Sequence, residues 1–277
     1  MKAVLSPKKY LVCIPQEGLN DMLNRIWHCY QYALRFKRIL VVDTRKSPGF
    51  KDDISKYLTF KSSIFYKGDR DTLYDSIYGK SIYPSELSTI NLRNLVETPE
   101  PYLKFNPTKA HFETVLVCYP RGGGMDAIFL LRECSLANHV IQKYNERKAL
   151  LPSVYTSLHI RNTDYSSDVS SFLSKLKVSS NQIFVASDNA STIELCKARF
   201  GERIHSFSSI PKGKEGQNIH IDLRTASNNE DLNIDSIVDL LLLANGSELY
   251  VSLEKSGYSQ LALLLHKNNE VLRNLTT

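Results

Sequence analysis

A chain of 277 residues with 42% hydrophobic and 23% charged side chains can bury a substantial core, as one large domain or two small ones. Its 35 basic and 29 acidic residues leave a net charge of +6. That is a mild bias towards anionic ligands or an anionic membrane surface, and no run concentrates it as a nucleic-acid footprint would. Five scattered cysteines without a C-x-x-C pair argue against a disulfide framework and a zinc site. The first apolar run, Ala3-Val4-Leu5, is too short for a signal peptide, and no window reaches membrane-spanning length. The expectation is a cytoplasmic protein without a membrane span, peripheral at most.

Tyr10-Leu11-Val12-Cys13-Ile14, closed by Pro15, reads as a buried first strand. After the Gln16-Glu17-Gly18-Leu19-Asn20 turn, Met22, Ile26, Cys29, Tyr30, Ala33 and Leu34 fall at helical spacing. Ile39–Asp43 is the second strand, which completes a βαβ unit and predicts a parallel sheet. Residues 44–113 are polar and broken by five prolines, and the pattern assigns little there. Thr114–Cys118 is a strand ending in Pro120-Arg121-Gly122-Gly123-Gly124, and one helix is expected from Asp126 to about Arg147. Pro152 marks the domain boundary, giving units 1–150 and 151–277.

In the second unit a strand over 154–158 leads into His159-Ile160-Arg161-Asn162-Thr163-Asp164. A helix is expected around Phe172–Leu176, a strand at Ile183–Ala186 before Ser187-Asp188-Asn189, and a helix over 191–200. Strand 204–207, a loop at 209–230, helix 234–244, strand 249–252 and helix 259–266 complete the α/β alternation. Two Rossmann-like halves facing a cleft fit this order.

Several motifs carry little chemistry. Gly79-Lys80-Ser81 has the end of a P-loop, but Tyr74 stands where the first glycine is required. Asp69-Arg70-Asp71 has the spacing of a metal-chelating D-x-D, though a solvated charge cluster explains it better. Gly122-x-Gly124-x-x-Ala127 fits a dinucleotide fingerprint, but the next strand lacks the terminal acid that would take a ribose.

The 159–164 stretch is different, because it places a guanidinium and a carboxylate at a strand's carboxyl end, where open α/β sheets bind ligands. Three segments together resemble the GDP-fucose-dependent fucosyltransferases, the α1,6, α1,2 and protein O-fucosyl families. His159–Asp164 is similar to their H-x-R-x-[TG]-D motif, and Ile183–Asn189 to their strand ending in [ST]-D-[DN]. Asp239–Ala244 through Val251-Ser252 to Ser256-Gly257-Tyr258-Ser259 is similar to their helix, strand and serine-rich turn. Glu17-Gly18-Leu19-Asn20 resembles the E-G-x-N turn whose acid is the base in some members. Where many members carry a second arginine, this chain has Asn162.

The resemblance implies a GT-B-like fold and metal-independent, inverting transfer of a 6-deoxyhexose, L-fucose from GDP-fucose, to a glycan hydroxyl. It implies Arg161 and the Ser256, Gly257, Tyr258 and Ser259 turn at the phosphates. Ser187, Asp188 and Asn189 fall at the guanine edge, with His159 and Asp164 as supports. Glu17, with Gly18 and Asn20 beside it, becomes the base; Asp43 and Asp126 are the fallback bases. No cofactor beyond the donor is expected, and surface-polysaccharide assembly would suit such an enzyme. The alternatives are another activated sugar such as rhamnose, a dinucleotide-dependent oxidoreductase built on Gly122–Ala127, and a non-catalytic nucleotide-sugar or glycan-binding domain.

Overall fold

The computed structural model describes residues 8–95, 106–163, 167–178, 182–210 and 229–277. The first half runs β1 (Tyr10–Cys13), α1 (Leu19–Arg35), β2 (Ile39–Val42), β3 (Leu58–Phe60), α2 (Arg70–Ile77), β4 (Ile82–Tyr83) and β5 (Val115–Cys118). It continues through α3 (Ala127–Arg132), β6 (Cys134–Leu136) and α4 (Asn138–Lys148). The second half follows as β7 (Thr156–Ile160), α5 (Val169–Lys175), β8 (Ile183–Ser187), α6 (Ala190–Phe200) and β9 (Ile204–His205). It closes with α7 (Asn229–Asn245), β10 (Glu248–Val251), α8 (Gly257–Lys267) and α9 (Asn269–Thr276).

Two parallel four-stranded sheets form, ordered β2-β1-β5-β4 and β10-β7-β8-β9. A central strand of each, β5 and β7, is buried along its whole length, as a sheet covered on both faces requires. Helix α1 turns Met22, Ile26, Cys29 and Ala33 onto the first sheet, all at most 2% exposed. Each large side chain so buried contributes roughly 1.5–3 kcal/mol. One apolar cluster joins the halves, running from Leu11 and Ile26 through Leu130 to Val238, Leu261 and Phe184. The start of α7 is tied across it: Asn229 and Asn233 donate to the Lys51 and Phe50 carbonyls. No helix of the described residues is long and apolar enough to cross a membrane.

Three expectations are corrected. The single helix over 126–147 is interrupted by β6, because Cys134 and Leu136 find buried antiparallel partners in Phe60 and Leu58. The strand expected at 154–158 is β7, two residues later; Val154 is 60% exposed, and register with β8 runs on to Ile160. The cysteines are not scattered in space. Cys13 and Cys118 face each other across β1 and β5, Cys29 meets them from α1, and the three sulfurs lie within 4.8 Å of one another. Burial pushes the Cys13 thiol up. In the unassigned stretch, Asp69 caps α2 through the Thr72 N–H, and Asp71 pairs with Arg45.

Candidate active site

The carboxyl ends of β7 and β8 open into a pocket lined by His159, Arg161, Asp188, Asp235, Asp239 and Tyr258. Arg161 leaves β7 with its Nε 3.2 Å from Asp188 Oδ2, and its side chain is 14% exposed. Asp188 also accepts the Asn162 N–H at 2.8 Å and the Thr163 hydroxyl at 2.7 Å. Asn189 caps α6 through the Thr192 N–H and donates to the Asn162 carbonyl at 3.0 Å. Ser252 Oγ accepts the Arg161 N–H, and Ser187 Oγ donates to the Ile160 carbonyl. The arginine loop is therefore stapled from two neighbouring strands. Asn162 is itself one of the staples, bonding Thr192 and accepting the Ser167 N–H. Asp164 lies outside the described residues.

His159 stands inside β7 rather than in the loop after it, and is 5% exposed. Its Nδ1 is 2.7 Å from Ser259 Oγ, and its ring is 4.9 Å from that of Tyr258. Tyr258 donates to the Ser236 carbonyl. The pocket floor holds two carboxylates from α7. Arg147 donates to both Asp235 and Asp239, and Ser208 donates to Asp239 at 2.6 Å. Burial pushes the Asp239 carboxyl up to about 7, although Ser208 and Arg147 pull the other way. From the sequence, Asp239 stood only as the first residue of the family-like segment Asp239–Ala244 within helix 234–244, not as a site residue. The available signal was an acid within the apolar run Ile237–Ala244, where only a satisfied or functional carboxylate is tolerated.

On the other half, β1 ends in the Glu17 turn. Glu17 has φ 78°, in the left-handed region that non-glycine residues seldom occupy. Two contacts impose this. A Cβ on Gly49 would sit 2.3 Å from the Glu17 carbonyl oxygen, so the 47–51 turn lies hard against it. Glu17 Oε2 accepts the Gly122 N–H at 3.1 Å.

The glycines after β5 serve α1. Asn20 and Asn24 donate to the Gly124 carbonyl, and Arg25 donates to those of Gly122 and Gly123. A Cβ on Gly123 would come within 2.7 Å of Asp21 Oδ1. The turn is glycine-rich so that α1 can close on it. The N–H groups of Gly122, Asp126 and Ala127, the donors a pyrophosphate would need, are taken by Glu17 and Asn24, which makes the turn a scaffold rather than a pyrophosphate cradle.

The two halves meet at the amino end of α8. A Cβ on Gly257 would lie 3.1 Å from both Asn20 Nδ2 and Asp21 Oδ1, so this end of α8 abuts the first turn of α1. Asn20 is thus brought beside Gly257, and Gly18 is the N-cap residue of α1. Ser259, two residues on, reaches His159. Burial raises the Asp21 pKa, Asn20 opposes that, and the neighbouring Glu17 adds to it.

Neither fallback base has a comparable position. Asp43 is fully buried, takes a two-point contact from Arg45 and accepts the Tyr74 hydroxyl. Burial raises its proton affinity, but Arg45 and Tyr74 outweigh this and hold it below the usual range. A sealed carboxylate cannot meet an acceptor hydroxyl. Asp126 pairs with His28 at 3.0 Å on open surface.

No family model and no curated protein matches this sequence. Solved structures do. The NodZ α-1,6-fucosyltransferase from Bradyrhizobium superposes with a TM-score of 0.65 at 14% identity, covering 94% of each chain. NodZ soaked with GDP-fucose gives the same score over 93% of this chain and 92% of that one. An Arabidopsis thaliana FUT1 variant in complex with GDP aligns at 0.51 and 13% identity, over 93% of this chain and 68% of that one. The fold is fucosyltransferase-like. Its two parallel sheets are the two halves of that GT-B architecture.

Proposed function

We propose that this chain is a GDP-sugar-dependent glycosyltransferase that moves a 6-deoxyhexose, most directly L-fucose, onto a glycan hydroxyl with inversion and without a metal. The observation that carries this is the seam at Gly257. It joins a guanidinium-bearing pocket at one sheet's carboxyl edge to a strained acidic turn at the other's.

Arg161 supplies fixed positive charge for the β-phosphate, and the amino end of α8, which Ser256 does not cap with its side chain, adds an anion-binding end. The pocket walls, with the His159 and Tyr258 rings and Ile210 and Leu232, suit a flat nucleobase. Asp188 borders the pocket, but its oxygens already accept three donors from the arginine loop. We therefore assign the guanine edge to Asp239, whose carboxylate can accept the base's ring and exocyclic N–H groups. A uracil presents no such pair of donors.

In the reaction, Glu17 takes the proton of the acceptor hydroxyl as its oxygen bonds the anomeric carbon. The bond from that carbon to the β-phosphate oxygen breaks on the opposite face. Its electron pair leaves on GDP, where Arg161 and the α8 N–H groups meet the new charge. The test is GDP release from GDP-fucose, coupled to label transfer into a glycan pool. The proposal expects transfer by the intact chain and none by Arg161→Ala with unchanged circular dichroism. Near-normal turnover by that variant would refute the assignment.

A further inference from the structure

The edge of the first sheet opposite the Glu17 turn gathers charge of one sign. Lys8 and Lys9 precede β1, Arg35 and Lys37 flank the α1–β2 joint, Lys80 precedes β4, and Lys109 lies ahead of β5. Because the strands are parallel, these residues collect at their common amino edge. The edge is rigidly built. Buried Arg38 donates to the carbonyls of Tyr10, His111 and Glu113, the Tyr32 hydroxyl donates to the Lys109 carbonyl, and the Val115 N–H donates to that of Ser81. From it projects Phe112, 86% exposed, with the Lys9 ammonium 6.0 Å from its ring. Leu34, in the last turn of α1, is 46% exposed. The acid among these segments, Glu113, lies 3.6 Å from His111.

We propose that the amino edge of the first sheet is a docking surface for an anionic lipid bilayer. Clustered cations are attracted to an anionic leaflet, each strengthening binding about fivefold near the surface. Charge alone would serve any polyanion, but an almost fully exposed phenylalanine beside the Lys9 ammonium gains only where an apolar phase receives it. The geometry leaves the reaction cleft free. The four-residue β1 separates the docking edge from the Glu17 turn by about 13 Å. The proposal does not depend on the transferase reading.

The experiment is flotation of the full chain with phosphatidylcholine vesicles, with and without phosphatidylglycerol, at low and high salt. Binding is expected only to the anionic vesicles and should be screened away at high salt. Lys9→Glu with Lys109→Glu should weaken it by more than about 25-fold, since each reversal does more than remove a cation. Phe112→Ser should weaken it roughly tenfold with no change in net charge. Lys143→Glu with Lys267→Glu, exposed cations elsewhere, should leave it within about twofold. Equal binding to neutral vesicles would overturn the proposal. So would indifference to Phe112→Ser, which would leave a soluble polyanion as the partner, or equal loss in both charge-reversed pairs.

Discussion

The two sheets present the same edge to the same seam and hold their functional residue there in opposite ways. In the second half Arg161 is fixed by polar bonds. Asp188, Asn189, Ser187 and Ser252 each hold the backbone or side chain of its loop, and burial of 86% leaves it little freedom. In the first half Glu17 is held by steric pressure, with a left-handed backbone against Gly49 and one N–H from Gly122. A group that stabilises charge works best when it need not reorganise, whereas a base must stay free to take a proton. The difference in support matches the difference in role.

Removing the base should have the largest effect. Glu17→Gln should lower kcat by about 10²–10⁴ while GDP affinity stays within twofold, as read by steady-state kinetics beside calorimetry. A parallel loss of affinity would move Glu17 into the donor site and dissolve the contrast. Glu17→Gly sharpens it: relief of the left-handed strain should raise stability by ~0.5–1 kcal/mol while transfer disappears. Next comes Gly49→Ala, whose added carbon meets the Glu17 carbonyl. It should destabilise the chain by roughly 1–3 kcal/mol in urea and lower kcat rather than donor affinity.

Asp239 gives a smaller, pH-dependent effect. Its folded pKa, about 7, stands above the ordinary value of 3.8 because of burial. A carboxyl raised in this way binds more protons when folded than when unfolded. The stability it contributes is complete below about pH 4 and is lost as pH rises towards about 7. Asp239→Asn should flatten that decline. If the ionised form reads guanine, GDP affinity should fall by about tenfold per pH unit below 7 in the wild type and stay level in Asp239→Asn. A level wild-type profile would remove Asp239 from the guanine edge.

Much of this was legible from residue order alone, because parallel sheets leave long apolar strands punctuated by helices. Tyr10–Ile14, Ile39–Asp43, Ile183–Ala186 and Leu249–Ser252 all read as strands for that reason. The H-x-R stretch and the Glu17 turn were visible as polar groups at strand ends. What was hidden depends on distant partners. Cys134–Leu136 looks helical until Leu58–Phe60 supplies an antiparallel edge. Asp239 is one acid in an apolar helix until Arg147 and Ser208, far away in sequence, enclose it. Gly122–Gly124 imitates a nucleotide loop, and only the polar face of α1 shows what its carbonyls do. The meeting of Cys13, Cys29 and Cys118 likewise needs the β1–β5 register.

The central claim is most directly tested by calorimetric titration of the purified chain with GDP, UDP, CMP and NAD in the presence of EDTA. The account predicts binding of GDP in preference to the other three, without metal, weakened at least ~100-fold by Arg161→Ala. Binding of none of them, or GDP binding that survives Arg161→Ala unchanged, would contradict it.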